Sequence, residues 1–141
     1  MPAKFCLGEL VKSRLKEIFD QYALEIVEID ANEVVLKART YALDIIAGRE
    51  GIAIVHFDGD AVPFCGRHLF SYLLKARTDM LAVTAMTAEV SSYTEFIKGE
   101  LDSLSRHLRT AAHDILSGSK VWLSRNRSPV IHARPSIAAV L

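Results

Sequence analysis

Apolar and polar residues alternate between residues 24 and 57 in a way that predicts a β-meander. Four apolar stretches are separated by short polar turns, and they cover residues 24–29, 34–38, 43–47 and 52–57. In the second stretch Val34, Leu36 and Ala38 alternate with Glu33, Val35, Lys37 and Arg39, and in the third Leu43 and Ile45 flank Asp44, which is the period of a sheet that buries one face. We therefore expect four sequential antiparallel strands, with the first at an edge.

Two polar segments between these strands have the composition of tight turns. Asp30-Ala31-Asn32-Glu33 joins the first two strands, where Asn tolerates a positive φ and Asp caps its own backbone. Gly48-Arg49-Glu50-Gly51 joins the last two, and glycine at both ends permits the left-handed backbone that such loops need. Both segments predict hairpins.

On either side of the meander the apolar spacing changes to the helical period. An N-terminal helix over residues 8–22 is predicted by one apolar face, formed by Leu7, Val11, Leu15, Ile18 and Tyr22. A short helix is predicted over residues 67–77, and residues 79–90 are also interpreted as helical. Residues 120–123 predict a brief strand.

A long helix after residue 92 has the clearest signals. Ser92 and Glu95 form the pattern of a capping box, and Gly118 is placed to end the helix in a left-handed cap. The residues of its narrow apolar seam follow at alternating steps of four and three: Ile97, Leu101, Leu104, Leu108, Ala111 and Ile115. The seam predicts packing on the sheet, with a homo-oligomer through residues 97–115 as another reading.

Together these elements predict an α+β fold, in which an N-terminal helix precedes a four-stranded antiparallel meander and the long helix packs on the sheet. Half of the residues are hydrophobic, which is enough for a core without disulfide or metal staples. We expect a single domain over residues 1–123. Residues 124–141 contain two prolines and scattered arginines, and predict a basic, extended C-terminal tail.

The cysteines and apolar runs bear on the compartment. Cys6 and Cys65 are the only cysteines, and their spacing requires no bridge. No apolar run approaches the roughly 20 residues that cross a bilayer, and the first residues do not resemble a secretory leader. The expectation is a cytoplasmic protein with reduced thiols that does not enter a membrane.

Charge is distributed unevenly although the formal net charge is zero. Residues 1–60 hold seven bases and eleven acids, whereas residues 61–141 hold ten bases and six acids. The basic excess lies near the C-terminus, where no acid follows Asp114. A nucleic-acid binder usually carries a basic face on its folded part. Nucleic acid is therefore disfavoured as the main ligand.

Two groups of residues suggest catalytic or metal chemistry. His56, Asp58 and Asp60 alternate at the end of the fourth strand, so all three would face one side and could hold a divalent cation that activates water. The same residues also suit an ordinary turn. Cys65 and His68 have a spacing found in zinc sites, but the second half of a four-ligand site is missing.

The acidity of the meander is the remaining candidate for function. From residue 24 to residue 60 the chain has eight acids and three bases, a net charge of −5. Such a run is usually a solvated face, but opposite charge also accelerates encounter with a basic protein and rejects wrong partners. The chain lacks a recognised catalytic or phosphate-binding motif, which favours this second reading.

The layout of residues 7–123 resembles that of small bacterial immunity proteins, which protect cells from polymorphic toxins, including those of contact-dependent growth inhibition. The resemblance rests on the starting helix, the hairpin Ala42-Leu43-Asp44-Ile45-Ile46-Ala47-Gly48-Arg49-Glu50-Gly51-Ile52-Ala53-Ile54-Val55, the helix end His113-Asp114-Ile115-Leu116-Ser117-Gly118, and Val121-Trp122-Leu123. It implies a non-enzymatic cytoplasmic protein without cofactors that binds one toxin domain and blocks its active site or substrate groove.

Many such toxins are nucleases with basic substrate surfaces, so the resemblance implies that an acidic inhibitor imitates the nucleic-acid backbone. The meander supplies the carboxylates from which we expect the contacts to be drawn: Glu28, Asp30, Glu33, Asp44, Glu50, Asp58 and Asp60. The protein is expected to be a monomer or a weak homodimer. The alternative function is a small metal-dependent hydrolase that uses His56, Asp58 and Asp60.

Overall fold

The computed structural model describes residues 5–59, 65–77, 79, 92–125 and 129–141. Its fold is α+β, as predicted, with helices before a sheet of six strands, between its last two strands and after the last one. All strands pair antiparallel in sequential order, and the long helix packs on the sheet. The predicted helix over residues 79–90 lies outside the described residues except for Asp79.

Four of the strands are those expected from the meander, and two more extend the sheet. Their bounds are β1 Glu25–Asp30, β2 Glu33–Lys37, β3 Tyr41–Gly48, β4 Gly51–Asp58, β5 Cys65–His68 and β6 Ile131–His132. Both predicted hairpin turns are confirmed. The Asn32 amide donates to Asp30 Oδ1 at 2.7 Å, and Gly51 has a φ of +123°. The sheet therefore has its first edge at β1, as the sequence predicted.

Seven helices are described, and several differ from their predicted bounds. They are α1 Leu7–Arg14, α2 Lys16–Tyr22, α3 Leu69–Ala76, α4 Tyr93–Ala111, α5 His113–Leu116, α6 Val121–Arg125 and α7 Pro135–Ala138. The predicted helix over residues 8–22 is two helices, because Leu15 leaves the helical backbone with φ −108° and ψ 19°. The predicted helix over residues 67–77 begins later, since its first residues belong to β5.

The long helix α4 begins as the sequence predicts. Ser92 is its N-cap, and the Ser92 hydroxyl accepts from the Glu95 amide at 3.1 Å. The helix does not continue to Gly118 as predicted: α4 ends at Ala111, and the seam residue Ile115 belongs to α5. The apolar seam is buried in the main core against the helix-covered face of the sheet, which we call the first face. Because the seam is used inside the molecule, the structure does not leave it free for the alternative homo-oligomer.

The C-terminal quarter differs most from the sequence-based expectation. Residues 120–123, predicted as a strand, lie mainly in the helix α6, which places Trp122 in a buried aromatic cluster with Tyr72 and His56. Residues 131–141, predicted as an extended tail, contain β6 and α7. Pro135 occupies the first turn of α7, where its missing amide costs nothing.

The C-terminal residues cover the opposite side of the sheet, which we call the second face. Ile137 is 1% exposed there and packs in a second core with Val35, Ala42, Val55 and Phe57. Burial on both faces explains why the middle of β2 is apolar at consecutive positions. None of the helices in the described part of the chain combines the length and apolar character needed to cross a bilayer.

Candidate functional site

The predicted partner-binding carboxylates are divided between the two ends of the sheet. The β1–β2 turn (residues 31–32) and the β3–β4 turn (residues 49–50) lie at the same end, where the Ala47 amide donates to the Asn32 carbonyl at 2.8 Å. Asp58 lies at the opposite end, where it pairs in register with Tyr41. Asp60 lies outside the described residues. The six carboxylates that the structure describes therefore do not form one contiguous surface.

Three of the predicted carboxylates are exposed at the end that carries the two turns. They are Glu28 and Asp30 on β1 and Glu50 in the β3–β4 turn. A fourth acid that the sequence analysis missed, Glu100 on α4, approaches the same turn. A Cβ placed on Gly51 would be 3.2 Å from Glu100 Oε1. We call Glu28, Asp30, Glu50 and Glu100 together the acidic end.

Hydrogen bonds hold the two turns of the acidic end in place. Beyond the contact of Ala47 with Asn32, the Tyr93 hydroxyl at the start of α4 donates to the Gly48 carbonyl at 2.8 Å. Glu28 is flanked by Lys12 at 3.9 Å, and both side chains are nearly half exposed. The carboxylates therefore project from fixed backbone rather than from long loops.

Glu33 and Asp44 belong to the set of carboxylates from which partner contacts were expected to be drawn, but both are buried. Glu33 is 4% exposed and Asp44 is 3% exposed. Asp44 pairs in register with Val35, two residues from Glu33, so both carboxylates lie on the second face. The C-terminal residues cover that face, which one-sided burial of the meander did not predict.

Arg134, between β6 and α7, supplies the counter-charge for these two buried acids. Its guanidinium Nη2 donates to Glu33 Oε2 and lies 3.9 Å from Asp44 Oδ2. The hydrogen bond to Glu33 raises the pKa of Arg134, so the guanidinium stays charged. Sequence reasoning assigned Arg134 to a solvated tail. The apolar residues near it, Ile131 and Ile137, were the signal that this segment packs.

Asp44 differs from the other carboxylates in holding its proton. The pKa of Asp44 is raised to about 8. Burial is the largest cause, followed by a hydrogen bond to Glu33 and by the negative charge of Glu33. No donor among the described residues reaches Asp44 Oδ1, which is buried. A protonated Asp44 instead becomes a donor for which Glu33 is the acceptor. Asp44 is therefore largely neutral near pH 7, and Arg134 is the cation beside the pair.

His56 and Asp58, the two residues of the alternative metal site that the structure describes, have different surroundings. His56 and Asp58 do lie at alternate positions of β4, but His56 is 1% exposed between the rings of Tyr41 and Trp122. Burial lowers the pKa of His56 to about 4. The ammonium of Lys120 forms an ion pair with Asp58. A cation at this position would have to displace Lys120.

Cys65 and His68 do not converge on one point. Both belong to β5, and their odd spacing directs the two side chains to opposite faces of the strand. Neither Cys6 nor Cys65 forms a disulfide within the described ranges. Across those ranges no group of three or more His, Cys, Asp and Glu residues is arranged to hold a metal ion.

Comparisons with known proteins add no relative to this description. No protein-family model, no curated protein and no solved structure matches the chain.

Proposed function

We propose that this chain is a non-enzymatic, cytoplasmic immunity protein that binds a cognate bacterial toxin domain through the acidic end and so neutralises it. The observation that carries the proposal is the placement of Glu28 and Asp30 at the end of β1 and of Glu50 in the neighbouring β3–β4 turn, with Glu100 beside that turn. These carboxylates come from three separate segments of the chain. The fold, and not the sequence order alone, concentrates them.

Electrostatics favour a basic partner at this end of the sheet. Lys12, Arg49 and Arg134 are nearby bases, of which Lys12 pairs with Glu28 and Arg134 interacts with Asp30, and the four carboxylates exceed these three bases by one charge. Complementary charge accelerates encounter and selects among partners more than it raises affinity. A nuclease toxin presents a basic groove to its substrate, so carboxylates spread along the end of the sheet from β1 to the β3–β4 turn would compete with nucleic-acid phosphates there.

Rigidity supports an inhibitory role. The turns that carry Asp30 and Glu50 are short, and hydrogen bonds from Ala47 and Tyr93 fix them. A preorganised surface loses little conformational freedom on binding, which improves affinity for a given contact area. No observation favours the metal-dependent hydrolase. Asp58 already forms an ion pair with Lys120, and His56 is enclosed by the aromatic rings of Tyr41 and Trp122.

Protection of cells from the toxin is the direct functional test. The proposal expects a toxin domain to be encoded beside this gene, and that domain would be expressed under induction, together with the protein or with an Asp30→Asn/Glu50→Gln variant. Asn at position 30 can still accept the turn hydrogen bond, so the fold is retained. We expect the variant to lose most of the protection that the unaltered protein gives.

A matched control removes the same charge elsewhere. Asp20→Asn/Asp79→Asn neutralises two exposed acids that lie outside the acidic end and should protect as well as the unaltered protein. Equal loss of protection in both double variants would mean that overall charge, and not the acidic end, matters. Full protection by the first variant would overturn the proposed surface.

A further inference from the structure

A second charged feature lies on the helical layer and does not belong to the acidic end. α1 and α2 run beside α4, and a groove of about 640 Å³ opens between them. Eight residues line it: Ser13, Arg14, Lys16, Glu17, Asp102, Ser105, Arg106 and Arg109. The break in the N-terminal helix at Leu15 allows residues from both α1 and α2 to reach the groove.

The charge of the groove is opposite to that of the acidic end. Four bases face two acids, which leaves a net charge of +2. Ion pairs across the groove use both acids: Arg14 is 3.4 Å from Asp102, and Arg109 pairs with Glu17. These two pairs join the N-terminal helices to α4 and define the walls.

Two cations remain after those pairs are formed. Lys16 begins α2 and Arg106 lies in the middle of α4, and neither has an ion-pair partner among the residues that the structure describes. Surface charges of one sign on facing helices repel one another unless a counter-ion is shared. An anion between the two helices would remove that repulsion and occupy the groove.

We propose that this groove is a binding site for a small phosphorylated molecule, held by Arg106 and Lys16 and flanked by the serine hydroxyls of Ser13 and Ser105. Guanidinium groups bind phosphate oxygens through paired hydrogen bonds, and an ammonium adds a point charge. The hydroxyl-bearing Ser105 is 6% exposed, at the floor of the groove. The ion pairs of Arg14 with Asp102 and of Arg109 with Glu17 join α1 and α2 to α4, the helices that carry these donors.

The size of the groove decides between inorganic phosphate and a larger ligand. Small-molecule sites occupy roughly 300–1,000 Å³, and this groove lies within that range. A bare phosphate would fill only a part of it. The rest of the space, lined by polar and charged side chains, suits the polar body of a phosphate ester. This site is independent of the toxin-binding proposal, and either can fail without the other.

Backbone NMR of the full chain, titrated with pyrophosphate, tests the proposal. Saturable shifts are expected at the amides of Ser13, Arg14, Ser105 and Arg106, over a background of sodium chloride at matched ionic strength. Because each charge-assisted hydrogen bond is strong, the Lys16→Gln/Arg106→Gln variant should bind about tenfold more weakly or worse. Its thermal midpoint should stay near that of the unaltered protein, since both side chains are exposed.

Control variants and a second probe sharpen the result. Lys75→Gln removes an exposed cation that does not line the groove, and its pyrophosphate affinity should be unchanged. Pyrophosphate shifts that do not saturate, or an equal loss of affinity in Lys75→Gln, would overturn the proposal. A titration with a short single-stranded oligonucleotide tests the other source of phosphate. Binding of the oligonucleotide without binding of pyrophosphate would also overturn it.

Discussion

Arg134 donates a hydrogen bond to Glu33 across 101 residues of sequence, and so ties the C-terminal segment to the second face of the sheet. The Glu33 carboxylate is 4% exposed, while the Arg134 side chain keeps more than half of its surface in solvent. A buried carboxylate is costly without a partner. The C-terminal segment therefore supplies the counter-charge for a buried carboxylate of the sheet, and the acids that it covers are not available to a binding partner.

Removing the guanidinium should destabilise the protein. Arg134→Gln leaves the buried Glu33 charge without its cation, and we expect the free energy of unfolding to fall by about 1–3 kcal/mol, discounted for the exposure of Arg134. Urea denaturation measures this. Adding Glu33→Gln to the same chain should recover part of the loss, and Arg125→Gln, at an exposed position, should cost little. No difference between Arg134→Gln and Arg125→Gln would show that the ion pair does not stabilise the fold.

The protonated Asp44 should make stability fall as pH rises. The pKa of Asp44 is about 8 in the folded protein against 3.8 for a free carboxyl, so between those values the native state binds a proton that the unfolded state has lost. One such proton corresponds to roughly 1.4 kcal/mol per pH unit. Denaturation at a series of pH values should show this decline between about 6.5 and 8, and Asp44→Asn should abolish it. A decline that persists in Asp44→Asn would assign it to another group.

The titration of His56 should make stability fall as pH falls, which is opposite to the effect of Asp44. The pKa of His56 falls to about 4 in the folded protein from 6.5, so in that interval the unfolded state binds the extra proton and stability falls as pH falls. Between pH 4 and 6.5 the slopes of Asp44 and His56 oppose each other, and the unaltered protein should be nearly flat. His56→Gln should instead lose stability steadily as pH rises from 4. An unchanged profile in that variant would contradict the assignment.

Ile137 should be a structural residue although it lies in a segment predicted as a tail. It is 1% exposed and packs in the second core. Ile137→Ala should cost about 2–4 kcal/mol through lost burial and the cavity it leaves. Hydrogen exchange supplies a second readout, since amides of β5 and β6 should lose protection first in the variant. Val130→Ala, at an exposed position nearby, is the control and should change neither quantity.

The regular part of this fold could be predicted from local patterns, and the remainder could not. The meander and its turns follow from period-two alternation and from Asp, Asn and Gly at the turns. The cap of α4 follows from Ser92 because capping depends on residues three apart. In contrast, Trp122 lies in a helix because Tyr72 and His56 form its surroundings, and those contacts are distant in sequence.

For the candidate site too, local patterns predicted some features, and contacts between distant segments determined the others. Exposure of Glu28, Asp30 and Glu50 agrees with their positions on an edge strand and in turns. Glu33 and Asp44 are buried because the C-terminal residues pack on the second face of the sheet. That segment contains proline and arginine, so its sequence did not predict packing. The addition of Glu100 depends on where α4 crosses the sheet, which no local pattern encodes.

Calorimetric titration of this protein into the toxin domain that the proposal expects a neighbouring gene to encode tests the central claim most directly. We expect saturable one-to-one binding whose affinity falls at least about tenfold between about 0.05 M and 0.5 M salt, because exposed charges are screened. The Asp30→Asn/Glu50→Gln variant should show weaker binding and a shallower salt dependence. Salt-independent binding that survives in this variant, or no heat of binding at low salt, would contradict the assignment of the acidic end as the toxin-binding surface.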